Sequence, residues 1–333
     1  MPFAQVLYII ANAISHLNQI KMSNIAIRPL QPKEHAFVAE LCNNEKLFPY
    51  LPDTFMHFWS PALVATPKAV WAVEVAGQLV GSAGYTMAEA APELWLIGII
   101  VWPAYRRRGI GAVVYSSLVE SLRPRGAQRL LAHVYTNQLD GLRFVAQRGF
   151  REIGTSLNSQ LNVAAADSSS WDDPDAIVAN QGLRFGTLDH FPRHGLAERL
   201  LPLWNRTRPD QPQYWPYVPY YARRFEREML EPAEVALPHS FVIVAPDNHI
   251  VALALNAYAA DNRLCTIYLG VDPDFRRRKL ATALKLKLIA HTQAHGIDFL
   301  AAENEASNTA MRDINRRLGY HHLPDLVVYQ KTL

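Results

Sequence analysis

Three consecutive arginines, Arg106, Arg107 and Arg108, run directly into Gly109-Ile110-Gly111. That order of charge and small residues suits an anion. Guanidinium groups bring hydrogen-bond donors in a fixed fork, and glycines let a ligand approach the main chain closely. The apolar run Leu94–Val101 before the arginines reads as a buried strand. After them, Ile110, Val113, Val114, Leu118 and Leu122 fall on one face of a helix. A helix that starts here turns its unpaired N–H groups and partial positive charge on the loop, which is a phosphate site. The plainer alternative is a set of arginines in solvent or against nucleic acid, and it leaves the strand–loop–helix context unused.

The device occurs twice. Arg276-Arg277-Arg278-Lys279-Leu280-Ala281 follows the apolar run Leu264–Gly270, and the offset from the first copy is constant (276 − 106 = 170). The same offset separates Pro103 from Pro273, Gly126 from Gly296 and Gly149 from Gly319. Helix faces match as well, Ile110, Val113, Val114 and Leu118 against Leu280, Ala283, Leu284 and Leu288. A gapless correspondence ending in Gly149-Phe150 and Gly319-Tyr320 is an internal duplication. The second copy departs at two places: Lys279 stands for Gly109 and Ala281 for Gly111.

Arg-x-x-Gly-x-Gly after a strand, followed by a helix, a further strand and a Gly-Phe, resembles the coenzyme A signature of the GNAT superfamily of N-acetyltransferases. With two copies the chain resembles a tandem GNAT protein, similar in architecture to mycothiol synthase. The resemblance implies an α/β (α+β) fold of two GNAT-like domains, each a mixed, mostly antiparallel sheet flanked by helices. It implies acetyl-CoA as cofactor and transfer of its acetyl group to a primary amine of a small-molecule or peptide acceptor. Cofactor contacts are implied at Ile99, Ile100, Val101, Arg106, Arg107, Arg108, Gly109, Ile110, Gly111 and Ala112. In the second copy they fall at Leu269, Gly270, Val271, Arg276, Arg277, Arg278, Lys279, Leu280 and Ala281. Asn308 matches an asparagine that contacts the pantetheine arm in the family, and Gln138 is its first-half counterpart. A tyrosine that many members use to protonate the thiolate is replaced by Val145 and Asn315. That departure supports the rival reading, a non-catalytic acyl-CoA-binding or regulatory protein.

Acyl transfer to an amine needs the neutral amine, and an alkyl ammonium with a pKa near 10.4 carries a deficit of roughly 4–5 kcal/mol at pH 7. A positioned base recovers part of this, orientation against the thioester more, and a backbone N–H near Ile99–Val101 can polarise the thioester oxygen. Candidate bases are Glu93, at the start of the strand before the loop, and His133 and Tyr135, which share one face of the next strand because side chains alternate. Glu303 and Asn304, with Asp261 earlier, are the second-half candidates. Each has a structural alternative, as a turn carboxylate or a packed side chain. The first half, with both glycines present, is expected to hold the intact cofactor site.

These residues need elements to position them. With 333 residues, about two domains are expected, and 50% hydrophobic residues suffice for two cores. The expected organisation is an N-terminal extension over 1–22, a first domain over 23–162, a linker over 163–181 and a second domain over 182–333. The apolar stretch near the N-terminus, Phe3–Ala11, is interrupted and too short to span a bilayer. A helix is expected over Lys33–Leu47, a hairpin turns across Ala76-Gly77-Gln78, and a second hairpin turns at Pro246-Asp247-Asn248. Aromatic stretches at 48–59 and 214–221 either line an acceptor pocket or pack, and packing is the preferred reading. A balance of 33 basic against 30 acidic residues argues against a nucleic-acid binder. Two cysteines in different halves suggest neither a disulfide framework nor a metal site, and a reducing cytoplasm is the expected compartment. Monomer and homodimer are both compatible with the sequence.

Overall fold

The computed structural model describes residues 24–43, 67–167, 169–211, 214 and 216–333. The N-terminal extension and the aromatic stretch 48–59 lie outside the described residues. The first half contributes β1 (Ile25–Pro29), α1 (His35–Asn43), β2 (Lys68–Val75), β3 (Gln78–Ala88), β4 (Ala91–Val101), α2 (Ile110–Leu122), β5 (Arg129–Tyr135), α3 (Leu139–Gln147) and β6 (Arg151–Asn162). Next come α4 (Pro174–Ala179), β7 (Arg184–Thr187), α5 (Leu196–Thr207), α6 (Ala222–Phe225), β8 (Phe241–Val244) and β9 (Ile250–Ala259). The chain ends with β10 (Arg263–Val271), α7 (Leu280–Ala294), β11 (Phe299–Glu305), α8 (Thr309–Arg317), β12 (His321–His322) and β13 (Leu326–Thr332).

Local chemistry explains most boundaries. Ala76 and Gly77 both adopt positive φ (50° and 79°), the two-residue turn that matches strand twist in a hairpin. Helix α2 buries Ile110, Val114, Tyr115, Leu118 and Leu122, one stripe at helical spacing. It ends at Leu122, where Pro124 lies in a short 3-10 turn and Gly126 takes φ 84°. The expected first helix is found as α1, preceded by a 3-10 turn at Pro32–Glu34.

The described strands form a single sheet in the order β1-β2-β3-β4-β5-β13-β6-β11-β10-β9-β8-β7, with the short β12 paired to β6 off this path. Two strands change sides. The last strand of the chain, β13, inserts beside β5 of the first half, pairing Val328 with His133. The strand that ends the first half, β6, pairs with β11 of the second, Asn158 opposite Glu303. Each half is therefore completed by a strand lying outside its own block of sequence. Strand β6 went unread in the sequence because it is polar and central: Ser156 and Asn158 are buried between two neighbours rather than alternating with solvent. Asn158 satisfies its amide on the Pro324 carbonyl at 3.0 Å.

One core lies between α2 and the first-half strands, and another between α7 and the second-half strands. A third packs α5 on the opposite face of the second half, around Trp204 and Tyr268. The segment 163–181, expected as a linker, carries α4. Asp173 caps that helix by accepting from the Asp175 N–H, and Val178 is buried against the second core.

Candidate active site

Both arginine loops have the same backbone. Arg107 and Arg277 sit at φ 63° and 60°, and Gly109 and Lys279 cap their helices at φ 80° and 60°. Arg106 Nε donates to the Val101 carbonyl at 2.9 Å, and Arg276 Nε to the Val271 carbonyl at 3.1 Å. These two arginines brace the loop on the end of the preceding strand. The left-handed conformation at Lys279 is the strained one, since only glycine adopts it without cost. Its side chain leaves the loop, with Nζ 2.6 Å from Asp172. That contact removes the crowding expected of a lysine at this place. Arg276 also pairs with Asp210, and Arg107 meets Asp140 at 3.3 Å.

Two glycines among the cofactor candidates are spoken for by packing. A Cβ on Gly111 would stand 3.0 Å from Phe144, and one on Gly270 would collide with the Tyr268 hydroxyl. The apolar candidates beside the loops face inward: Ile99 and Val101 pack on the first core, Ile100 on Val38 and Ala39 of α1, and Leu269 and Val271 on the second core. Ile110 and Leu280 are buried as the first residues of their helices. The Ala112 N–H closes the first helical turn on the Gly109 carbonyl. Asn308 caps α8 by accepting from the Met311 N–H at 3.3 Å, and Gln138 accepts from the Tyr135 N–H at 3.0 Å.

The halves differ in the strand before the loop. Strand β4 pairs with β3 without interruption from Trp95 to Val101. Strand β10 slips against β9 between Thr266 and Tyr268, so Ile267 drops out of the ladder. Such a bulge bends a strand and re-aims its groups. Parallel pairing of β10 with β11 ends at the same level, at Thr266 and Ala302, and the strands splay beyond it. A cleft of about 280 Å³ opens there. One wall carries Thr266, Leu269 and Lys285, and another Glu303, Asn304 and Asn308.

One first-half candidate also reaches this cleft. His133 lines it from β5, beside Val328 of the exchanged strand. The surrounding walls desolvate its imidazole and hold its pKa below the ordinary value, although the ring stays accessible. Burial, then the neighbouring Glu303 and Cys265, push Tyr135 up to about 12. Burial also raises Glu303, against a hydrogen bond from Ser156 that favours its charged form. Tyr214, whose ring lies on Gly154, donates to Glu305 at the rim. The structure thus brings His133, Tyr135 and Glu303 together from opposite halves.

Glu93 is not among them. It lies at the start of β4, the end remote from the arginine loop, and is tied to Arg129 at the start of β5. Its own backbone N–H and that guanidinium hold its carboxyl below the usual range. Asp261 occupies the turn between β9 and β10, also away from the splayed ends. Tyr217 and Tyr220 pack, held by Asn205 and by Trp204 and Arg224, whereas Tyr214 of the same segment lines the cleft and Tyr221 is exposed. Among the described residues no group of three or more His, Cys, Asp or Glu is placed to hold a metal ion. None of the described helices is long and apolar enough to cross a membrane.

The sequence profile of the Acetyltransferase (GNAT) family matches residues 35–150 and again 197–320, and the chain belongs to that family. Its two-domain architecture is that of a tandem GNAT protein, and its class is acyltransferase. No protein of curated function matches the sequence. Among solved structures, a tandem GNAT protein from the clavulanic acid biosynthesis pathway superposes with a TM-score of 0.73 at 18% identity, covering 92% of this chain and 98% of its own. A GCN5-related N-acetyltransferase from Sphaerobacter thermophilus gives 0.64 at 17%, covering 94% and 97%. Saccharomyces cerevisiae N-myristoyltransferase, solved with myristoyl-CoA and inhibitors, gives 0.59 at 15%, covering 94% and 81%. At these identities the likeness is one of fold.

Proposed function

We propose that this chain transfers an acyl group from a coenzyme A thioester, with acetyl-CoA the simplest donor, to a primary amine of a small molecule or peptide. We further propose that transfer takes place in the second-half cleft. The observation that carries this reading is the bulge of β10 at a cleft lined from α7, the helix that the second arginine loop opens. In this reading the loop Arg276–Ala281 and the start of α7 hold the diphosphate, Asn308 meets the pantetheine arm, and the thioester lies at the bulge. A backbone N–H of Ile267–Leu269 polarises the thioester oxygen. The first loop, Arg106–Ala112, holds a second coenzyme A.

The amine nitrogen attacks the thioester carbon, the C–S bond breaks, and the amine proton passes to a base. Glu303 is the proposed base. Burial raises its pKa toward working pH, which suits a carboxylate to that role. His133, neutral because desolvated, and Tyr135 orient the acceptor from the other half. Release of free thiol from acetyl-CoA, followed across a panel of primary amines with wild type and Glu303→Gln, tests the scheme. Amine-dependent release that falls about 10²-fold or more in the variant is expected. Release from no amine in the panel would favour a non-catalytic acyl-CoA-binding role.

A further inference from the structure

Lys285 is a cation where a packed helix should carry none. It sits on α7 between Leu284 and Leu286, is 2% exposed, and lines the cleft. Its Nζ has no hydrogen-bond partner among the described residues. The nearest compensation is the Tyr320 ring, 4.7 Å from Nζ to its centroid. Thr266, at the start of the bulge, lines the same cleft, and its hydroxyl is also buried without a partner. Leaving such groups unpaired is costly, and most of all for a charge. Burial alone depresses the ammonium, to a pKa of about 8, so it still carries its proton at neutral pH. In the first half the corresponding positions hold Tyr115 and Phe150, ring against ring at 6.2 Å, and the cation beside them, Lys331 of β13, has a partner in the Tyr115 hydroxyl at 3.0 Å.

An acetyl group is too short and apolar to satisfy these donors. A chain that ends in a carboxylate supplies acceptors for both Lys285 and Thr266. The source is the donor rather than the acceptor, because Lys285 stands on the helix whose first turn follows the arginine loop. His133 and Tyr214 line the cleft from outside that helix. Resting on the coenzyme A reading above, we propose that the second-half cleft accepts an acyl-coenzyme A whose acyl chain bears a terminal carboxylate, a dicarboxylic half-thioester. Lys285 is its counter-ion and Thr266 a second hydrogen-bond donor. Transfer would leave a free carboxylate on the acylated amine.

The test is calorimetric titration of succinyl-CoA and of acetyl-CoA, separately, into the full wild-type chain and Lys285→Met. At one site succinyl-CoA is expected to bind at least about tenfold tighter than acetyl-CoA, the worth of one hydrogen-bonded charge pair. In Lys285→Met the ratio falls to about one, while acetyl-CoA affinity holds. Equal affinities in wild type, or a preference that survives in the variant, would overturn the proposal and leave the coenzyme A reading standing. Binding of neither thioester would remove that reading and the proposal with it. Should the variant fail to fold, the wild-type ratio decides alone.

Discussion

The two halves carry one loop but differ in the strand and the helix face beside it. The first half keeps both glycines and an unbroken β4, and at the positions of Lys285 and Tyr320 it has the packed rings Tyr115 and Phe150. The second half has neither glycine yet keeps the loop backbone, and it has the bulge and a buried cation, while the parallel strand pair parts at the equivalent level in both halves. The sequence favoured the first half because it has the cleaner motif. The proposed reading puts the weight on the second half, since a left-handed φ at Lys279 preserves the loop and Asp172 draws its side chain away. Glycine count measures the ease of making the loop, whereas transfer depends on what the strands beside it open.

Breaking the comparison at its root means separating the halves. Val328 of β13 is fully buried in the first half's sheet, though it comes from the end of the chain. Val328→Asp should cost about 4 kcal/mol, seen as a lower denaturant midpoint. A loss confined to the second half, measured by hydrogen exchange, would contradict the exchanged strand.

Lys285→Met should stabilise the chain by roughly 3 kcal/mol at pH 7, because a pKa near 8 in place of 10.5 penalises the folded ammonium. The unfolded chain binds the extra proton between those values. The penalty is therefore complete below pH 8, and the advantage of the variant should fade as pH rises toward 10.5. Paired thermal melts across that window check the sign; a constant difference would mean that Lys285 is not buried as a cation. Glu303→Gln should cost about 3 kcal/mol in transfer with little change in stability, read from kcat at fixed cofactor saturation. Lys279→Gly, the smallest change, should relieve about 1 kcal/mol of backbone strain less a small loss from the exposed ion pair, read as a modest rise in melting temperature.

Legibility in the sequence followed locality. The loops, their helices and the hairpin at Ala76-Gly77 depend on neighbouring residues, and the spacing of Ile110, Val114 and Leu118 marks them. The exchange of β6 and β13 is invisible locally, because in a duplicated chain either strand can complete either half. The bulge at Ile267 is one residue of register and leaves no compositional trace. His133 and Tyr135 were legible as one strand face, but their service to the opposite cleft depends on the exchange. Lys285 did leave a signal: it falls on the apolar stripe with Leu288 and Thr292, opposite Tyr115 at the constant offset, where a lysine has no business unless something answers it.

The most direct test of the account is thiol release in Ala281→Glu beside Gly109→Glu, each placing a carboxylate at the start of one helix. The account predicts at least about a hundredfold loss in Ala281→Glu and retention of most activity in Gly109→Glu. The reverse pattern would return the transfer site to the first half and leave the second cleft without the role argued for it.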